Sequence, residues 1–188
     1  MAHSTENLLL AKFSGKIGNQ FSIRHCNGRV ILAKFPGSSS KKPSASQTEV
    51  RERFQAATRF AQSILRAPEY RELYAKRAVG GKTTYNVAIA DYFTPPVVAE
   101  IDCSEYHGLA GDKIRVIAYD NIKVRMVTVS LRDAENKELE FGSCVEEKDG
   151  ISWSYTVTAD HTPYEGQQIK AVAYDIPGNT GAGTSTVW

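Results

Sequence analysis

The chain has 188 residues, 41% hydrophobic and 23% charged, a globular balance that excludes wholesale disorder. No apolar run approaches the roughly 20 residues that span a bilayer. Cys26, Cys103 and Cys144 form no CxxC, and His3, His25, His107 and His161 form no HxxxH. A disulfide framework and a metal site are therefore not expected, nor is any cofactor.

The net charge of +2 conceals an asymmetry. Residues 1–95 carry 15 Lys and Arg against 6 Asp and Glu, a charge of +9; residues 96–188 carry 8 against 15, a charge of −7. Opposite halves suit two modules with different partners, or head-to-tail attraction between copies. The expected domains are thus a basic module over 1–95 and an acidic one over 96–188, joined at Pro95-Pro96. The opening "MAHSTENLLLAKF" lacks a basic n-region, and its apolar stretch is short for a secretion signal. The expected location is the cytoplasm, or an assembled particle.

Residues 11–35 read as a β-hairpin. "KIGNQFSIRH" and "RVILAKF" flank an Asn27-Gly28 turn, whose residues tolerate positive φ. Ile31 and Phe35 make the second strand apolar on both faces. A lone hairpin is marginal in water, so this one is expected to lie on something. A polar linker, "PGSSSKKPSAS", follows over 36–46.

Ser46 and Glu49 predict a capping box at the start of a long helix. Val50, Phe54, Ala57, Ala61 and Ile64 recur at helical spacing as an apolar stripe, and Arg51, Gln55, Arg59, Gln62 and Arg66 form a second stripe. Pro68 opens a short second helix. Gly80-Gly81 breaks the chain, and Thr83 or Thr84 caps a third helix that runs to about Phe93.

"AVGGKTTYNVA" ends like a phosphate-binding loop, with Gly81-Lys82-Thr83. Lys76 stands where the first glycine belongs, and helix rather than strand precedes it, so the stretch reads as an interhelical turn.

Beyond Pro96, seven alternating segments lie between turn residues: "VVAEIDCS", "KIRVIAYD", "KVRMVTVSL", "ELEFG", "ISWSYTVTA", "QQIKAVAYD" and "GTSTVW". They predict a β-sandwich of strands with one wet side. Ile114 to Asp120 recurs as Ile169 to Asp175, and this pair is placed across the core. Trp153 is expected to fill that core.

Residues 96–188 resemble bacterial immunoglobulin-like or fibronectin-III-like domains, through Ala173, Asp175, Gly178 and Asn179 of "IKAVAYDIPGNTG". The resemblance implies a fold, not an activity. The front half is similar to a group of small bacterial hairpin-plus-helix proteins that brings no function with it. The shared positions are Gly15, Lys16, Gly18, Lys41, Lys42, Pro43, Gln47, Arg51, Arg53 and Phe54. The fold class expected is α+β, an N-terminal β-hairpin and helices followed by an all-β immunoglobulin-like sandwich.

Catalytic motifs are absent. Asp160 adjoins His161 too closely in sequence to orient it as a triad requires, and no G-x-S-x-G occurs. Asp102, Asp120, Asp133 and Asp175 lie in no DxDxDG run, so they read as turn-closing carboxylates rather than calcium ligands. The expectation is a non-enzymatic structural or interaction protein. Its candidate contact residues are Lys41, Lys42, Arg51, Arg59, Arg66, Ile31 and Phe35. The expected partner is itself, as a homo-oligomer or filament, or another protein. The alternative is a nucleic acid bound by the basic half. An aromatic platform of Trp153, Tyr164 or Trp188 would instead favour sugar binding.

Overall fold

The computed structural model describes residues 2–4, 13–26, 28–35 and 42–188. Asn27, Lys41 and the linker residues 36–40 lie outside the described residues. The chain divides into two compact units, Met1–Arg53 and Phe54–Trp188.

The first unit holds a four-stranded antiparallel sheet of β1 (Ala2–Ser4), β2 (Gly15–Ile17), β3 (Phe21–Cys26) and β4 (Arg29–Lys34), in the order β1-β4-β3-β2. The expected hairpin is β3–β4, with a flanking strand on each side. The segment read as one strand over 16–25 is broken instead. Gly18 takes a φ of 55° there, which turns β2 back on β3 so that Ile17 pairs with Phe21.

The register fixes the two faces. Ile23 pairs with Leu32 and His25 with Val30, which gathers the apolar residues on one side. Arg24 pairs with Ile31 and Ser22 with Ala33, so Ile31 and Phe35 share the other side with Lys16, Arg24 and Arg29.

Helix α1 (Ala45–Arg66) contains the unit boundary. Its cap is two residues earlier than expected. The Ser44 hydroxyl accepts the Gln47 N–H at 3.3 Å, and the Gln47 side chain accepts the Ser44 N–H at 3.1 Å. Ser44 and Gln47 thus form the reciprocal capping pair, in place of Ser46 and Glu49, because helix already begins at Ala45.

The second unit ends in a sandwich. Strands β5 (Val97–Asp102), β6 (Lys113–Tyr119), β9 (Val145–Glu146) and β10 (Ser152–Thr156) make one sheet, ordered β5-β6-β10-β9. Strands β7 (Val124–Arg132), β8 (Glu138–Ser143), β11 (Gln168–Asp175) and β12 (Thr180–Thr186) make the other, ordered β12-β11-β7-β8. Seven strands match the expected segments; β9, two residues long, is too short to show an alternation.

The repeated heptapeptide supplies an inner strand to each sheet. Ile114, Val116 and Ala118 of β6, and Ile169, Ala171 and Ala173 of β11, are all fully buried in one core with Trp153. Strand β7 corrects the wet-side expectation, since Thr128 and Ser130 on its outer face are buried. Ser130 Oγ donates to Glu138 Oε2 at 2.8 Å, and Arg132 Nε donates to Ser130 Oγ at 3.3 Å.

One seam is too close for side chains. A Cβ on Gly181 of β12 would lie 1.9 Å from the Pro96 carbonyl oxygen, so only glycine fits there.

The helices pack on this unit through a second core. Ala61 and Ile64 of α1, Tyr74 of α2 (Pro68–Ala75), and Val87 and Ala88 of α3 (Thr84–Tyr92) meet Ile122 of the β6–β7 turn. Pro68 begins α2 and Thr83 caps α3, its hydroxyl accepting the Asn86 N–H at 3.2 Å. Gly80 and Gly81 have φ of 66° and 81° in the turn before it, so "AVGGKTTYNVA" is an interhelical turn. Asn179 ties α3 to the sandwich, donating to the carbonyls of Asp91 at 3.4 Å and Tyr92 at 3.2 Å.

Candidate interaction surface

A helix turns 100° per residue, so Arg51, Arg59 and Arg66 fall within one narrow arc of α1. All three are exposed, as is Lys42, and none makes an ion pair among the described residues. Lys41 is outside the described residues.

The apolar stripe of α1 is split. Ala57, Ala61 and Ile64 are buried, whereas Val50 is 66% exposed and Phe54 50%. From Ala45 to Gln55 every residue of the helix is exposed. The stripe therefore runs past the core that uses its C-terminal half, leaving two large apolar side chains in water.

The sheet of the first unit shows the same incompleteness. Ile23 and Val30 are buried, but Phe13, Ile17 and Phe21 are exposed. On the opposite face, Ile31 and Phe35 are half-buried, and the Lys16 ammonium sits 4.3 Å from the centre of the Phe35 ring. That cation–π contact uses the edge of a face whose other cations, Arg24 and Arg29, make no ion pair among the described residues.

The acidic counterpart lies in the sandwich. Asp133, Glu135, Asp160 and Glu165 rim one concavity, together with His161 and Gln167. Asp133 and Asp160 each accept a backbone N–H, from Lys137 and Ala110, both at 2.8 Å. None of the four pairs with a cation among the described residues.

Beside that rim lies a cluster the sequence did not disclose. Glu140 accepts hydrogen bonds from the Tyr155 hydroxyl and from the Thr158 N–H (2.8 Å) and hydroxyl (2.9 Å). His161 Nε2 is 2.7 Å from its other oxygen and, facing a carboxylate, carries the proton. Burial works to raise the Glu140 pKa, but these donors outweigh it and hold the carboxyl down at about 2. The arrangement pins β8 to β10 and the loop after it. His161 thus has Glu140 as its carboxylate partner and not its neighbour Asp160. The partner lies 21 residues away, a separation no local motif encodes.

The four turn aspartates act as read. Asp102, Asp120, Asp133 and Asp175 each accept backbone N–H groups of the following turn. Of the aromatic platform, Trp153 is in the core and Tyr164 packs edge-on against Tyr106, while Trp188 is exposed. Ile31 and Phe35 lie on the sheet; Arg51, Arg59 and Arg66 share α1.

No family model matches the chain, and no curated protein does. About half of the chain is similar to parts of several solved structures. An engineered protein shares 22% identity, with 49% of this chain and 19% of that one covered, at a TM-score of 0.37. CopC from Methylosinus trichosporium OB3b shares 14%, with 49% and 92% covered, at 0.37. A tetra-tandem repeat in the extending region of a large adhesion protein shares 16%, with 50% and 24% covered, at 0.32. No described helix is long and apolar enough to cross a membrane.

Proposed function

We propose that this chain is a non-enzymatic interaction protein that associates with copies of itself through its front. Val50 and Phe54 of one copy, with the arginine row beside them, meet the acidic rim of Asp133, Glu135, Asp160 and Glu165 on the next. The observation that carries the reading is the stretch of α1 over Ala45–Gln55, exposed on every side and still amphipathic. Monomeric proteins rarely leave such a stripe uncovered, and its flanking cations match the charge of the sandwich. A contact between two different surfaces is heterologous, so copies add head to tail into a ring or a filament.

Mass measurement by light scattering across a concentration and salt series tests this. The expected result is oligomers at low salt that shrink as salt rises, and that Phe54→Ser reduces to monomers. A monomer at every salt and at high concentration overturns it. The row of Arg51, Arg59 and Arg66 also favours a second reading, contact with nucleic-acid phosphates, which would be strongly salt-dependent. Gel retardation at low salt with a monomeric protein replaces the first reading with the second; no retardation removes the second.

A further inference from the structure

Asp91 is fully buried on α3, and two other carboxylates approach it. The groups that face it are Tyr74 from α2, Asp120 from the turn after β6, and Asp175 from the end of β11. Tyr74 donates its hydroxyl to Asp91 Oδ2. Asp175 is fully served, accepting from the Gly178 and Asn179 N–H groups at 2.7 and 2.6 Å and from the Asn179 amide at 2.7 Å. Asp120 Oδ2 accepts the N–H groups of Ile122 and Lys123. That leaves Asp91 Oδ1 and Asp120 Oδ1, both buried and both without a hydrogen-bond donor.

Two buried carboxylate oxygens without donors are costly to leave bare. No cation relieves them: none of the three aspartates makes an ion pair among the described residues. Nor does any group of three His, Cys, Asp or Glu among the described residues have a metal-holding geometry. A proton satisfies both oxygens at once, donated by one carboxyl and accepted by the other, as in any pair of carboxylates too close for both to ionise.

We propose that Asp91 and Asp120 share one proton across Oδ1, and that this shared proton is a pH-sensitive latch holding α3 to the end of the sandwich. Burial first, then repulsion from Asp120 and Asp175, raise the Asp91 pKa to about 7 against the opposing pull of the Tyr74 hydrogen bond. Asp175 is displaced upward as well, burial leading. Asp91 in the unlatched state returns to the ordinary range of about 4. The closed state therefore binds more protons between about pH 4 and about pH 7. Its stabilisation is complete below that window and is lost as pH rises through it. On loss of the proton, two charges stand unscreened between α3 and the β6–β7 turn. The helix opens locally while the sandwich, whose core is separate, stays folded.

Amide hydrogen exchange on the full chain reads the latch. After correction for intrinsic rates, the opening of Val87 and Ala88 in α3 is expected to rise about tenfold from about pH 6 to about pH 8, with β11 amides unchanged. Asp91→Asn, which keeps an acceptor for Tyr74 and gains a donor for Asp120, removes that dependence. If that variant does not fold, Asp120→Asn and the carboxyl carbon resonance of Asp91 decide the matter, the resonance titrating with a midpoint near 7. A midpoint in the ordinary carboxylate range overturns the latch, as does a pH dependence unchanged in Asp91→Asn or in Asp120→Asn. Protection of α3 restored at about pH 8 by calcium alone, and lost again with a chelator, also overturns it, since a cation would then fill the place given to the proton.

Discussion

The sandwich and the first half of α1 solve the problem of apolar surface in opposite ways. In the sandwich, two sheets bury each other's inner faces, and even the outer Thr128 and Ser130 are covered. In α1, the same kind of stripe that seats Ala57, Ala61 and Ile64 continues onto Val50 and Phe54 and meets solvent. One region is complete within itself; the other has the composition of a core and no second half among the described residues. Substitutions in the sandwich should cost folding, and substitutions in the front should cost association.

The largest effect is expected at the seam between the sheets. Gly181→Ala places a methyl 1.9 Å from the Pro96 oxygen, backbone that can yield only by parting β12 from β5. Overpacking of this kind costs about 3 kcal/mol, read as a fall in urea midpoint with an unchanged slope. Glu140→Ala comes next. It strips the acceptor from Tyr155, Thr158 and His161 together, at a cost of about 2 kcal/mol. If either variant unfolds no more easily than the parent, the sandwich is not the self-sufficient region it is taken for.

Acid and alkali should divide the same unit. Glu140 is held at about 2, below its ordinary value, so it contributes stability above about pH 4.5 that is lost as pH falls toward 2. Asp91 is raised to about 7, so its contribution is present below about pH 4 and lost as pH rises to 7. The two slopes oppose each other. A thermal melting profile should therefore peak on the acid side, at about pH 4, and not at neutrality. Glu140→Gln should make the acid limb shallower and leave the limb above the peak as it is, and Asp91→Asn should do the reverse.

A smaller effect compares like with like. Ser44 and Thr83 both cap helices by accepting a backbone N–H three residues on, at 3.3 and 3.2 Å. Thr83→Ala is expected to cost about 1 kcal/mol of global stability, because α3 is packed in the second core. Ser44→Ala removes the same bond from a turn whose residues are all exposed, so it should fray the first turn of α1 and leave the unfolding midpoint in place. Equal losses in both variants would mean that the start of α1 is packed after all.

Sequence reasoning reached the sandwich because alternation and turn chemistry are local. The recurrence of Ile114–Asp120 as Ile169–Asp175 even marked one inner strand of each sheet. It missed β9 because two residues cannot show a period, and it misplaced the α1 cap because Ser44 and Ser46 both have a partner three residues on. The exposed end of α1 was also hidden. Val50, Phe54, Ala57, Ala61 and Ile64 form one stripe by spacing, and nothing in spacing says where the covering core stops. The Glu140 and Asp91 clusters lay furthest from view. Each assembles residues from three or more segments, and a carboxylate's surroundings are a property of the fold.

The smallest expected change in stability is therefore the one that decides the comparison. Phe54 is 50% exposed and contributes little to the cores of the described chain. Phe54→Ser should move the unfolding free energy of the monomer by less than about 0.5 kcal/mol. It removes apolar area from the exposed half of the α1 stripe, so under the proposed association its effect falls on the contact between copies. Burying such a side chain against a partner is worth about 2 kcal/mol, which weakens each contact roughly thirtyfold. Arg59→Glu should act differently on the same helix face. In the proposed contact it reverses a charge that would face the acidic rim, so its penalty should be largest at low salt and fade at high salt, whereas that of Phe54→Ser should persist. Two variants neutral to folding and separable by salt would show that the front is a contact surface with an apolar centre and a charged margin. A loss of monomer stability in Phe54→Ser would instead place its ring in a core of its own chain.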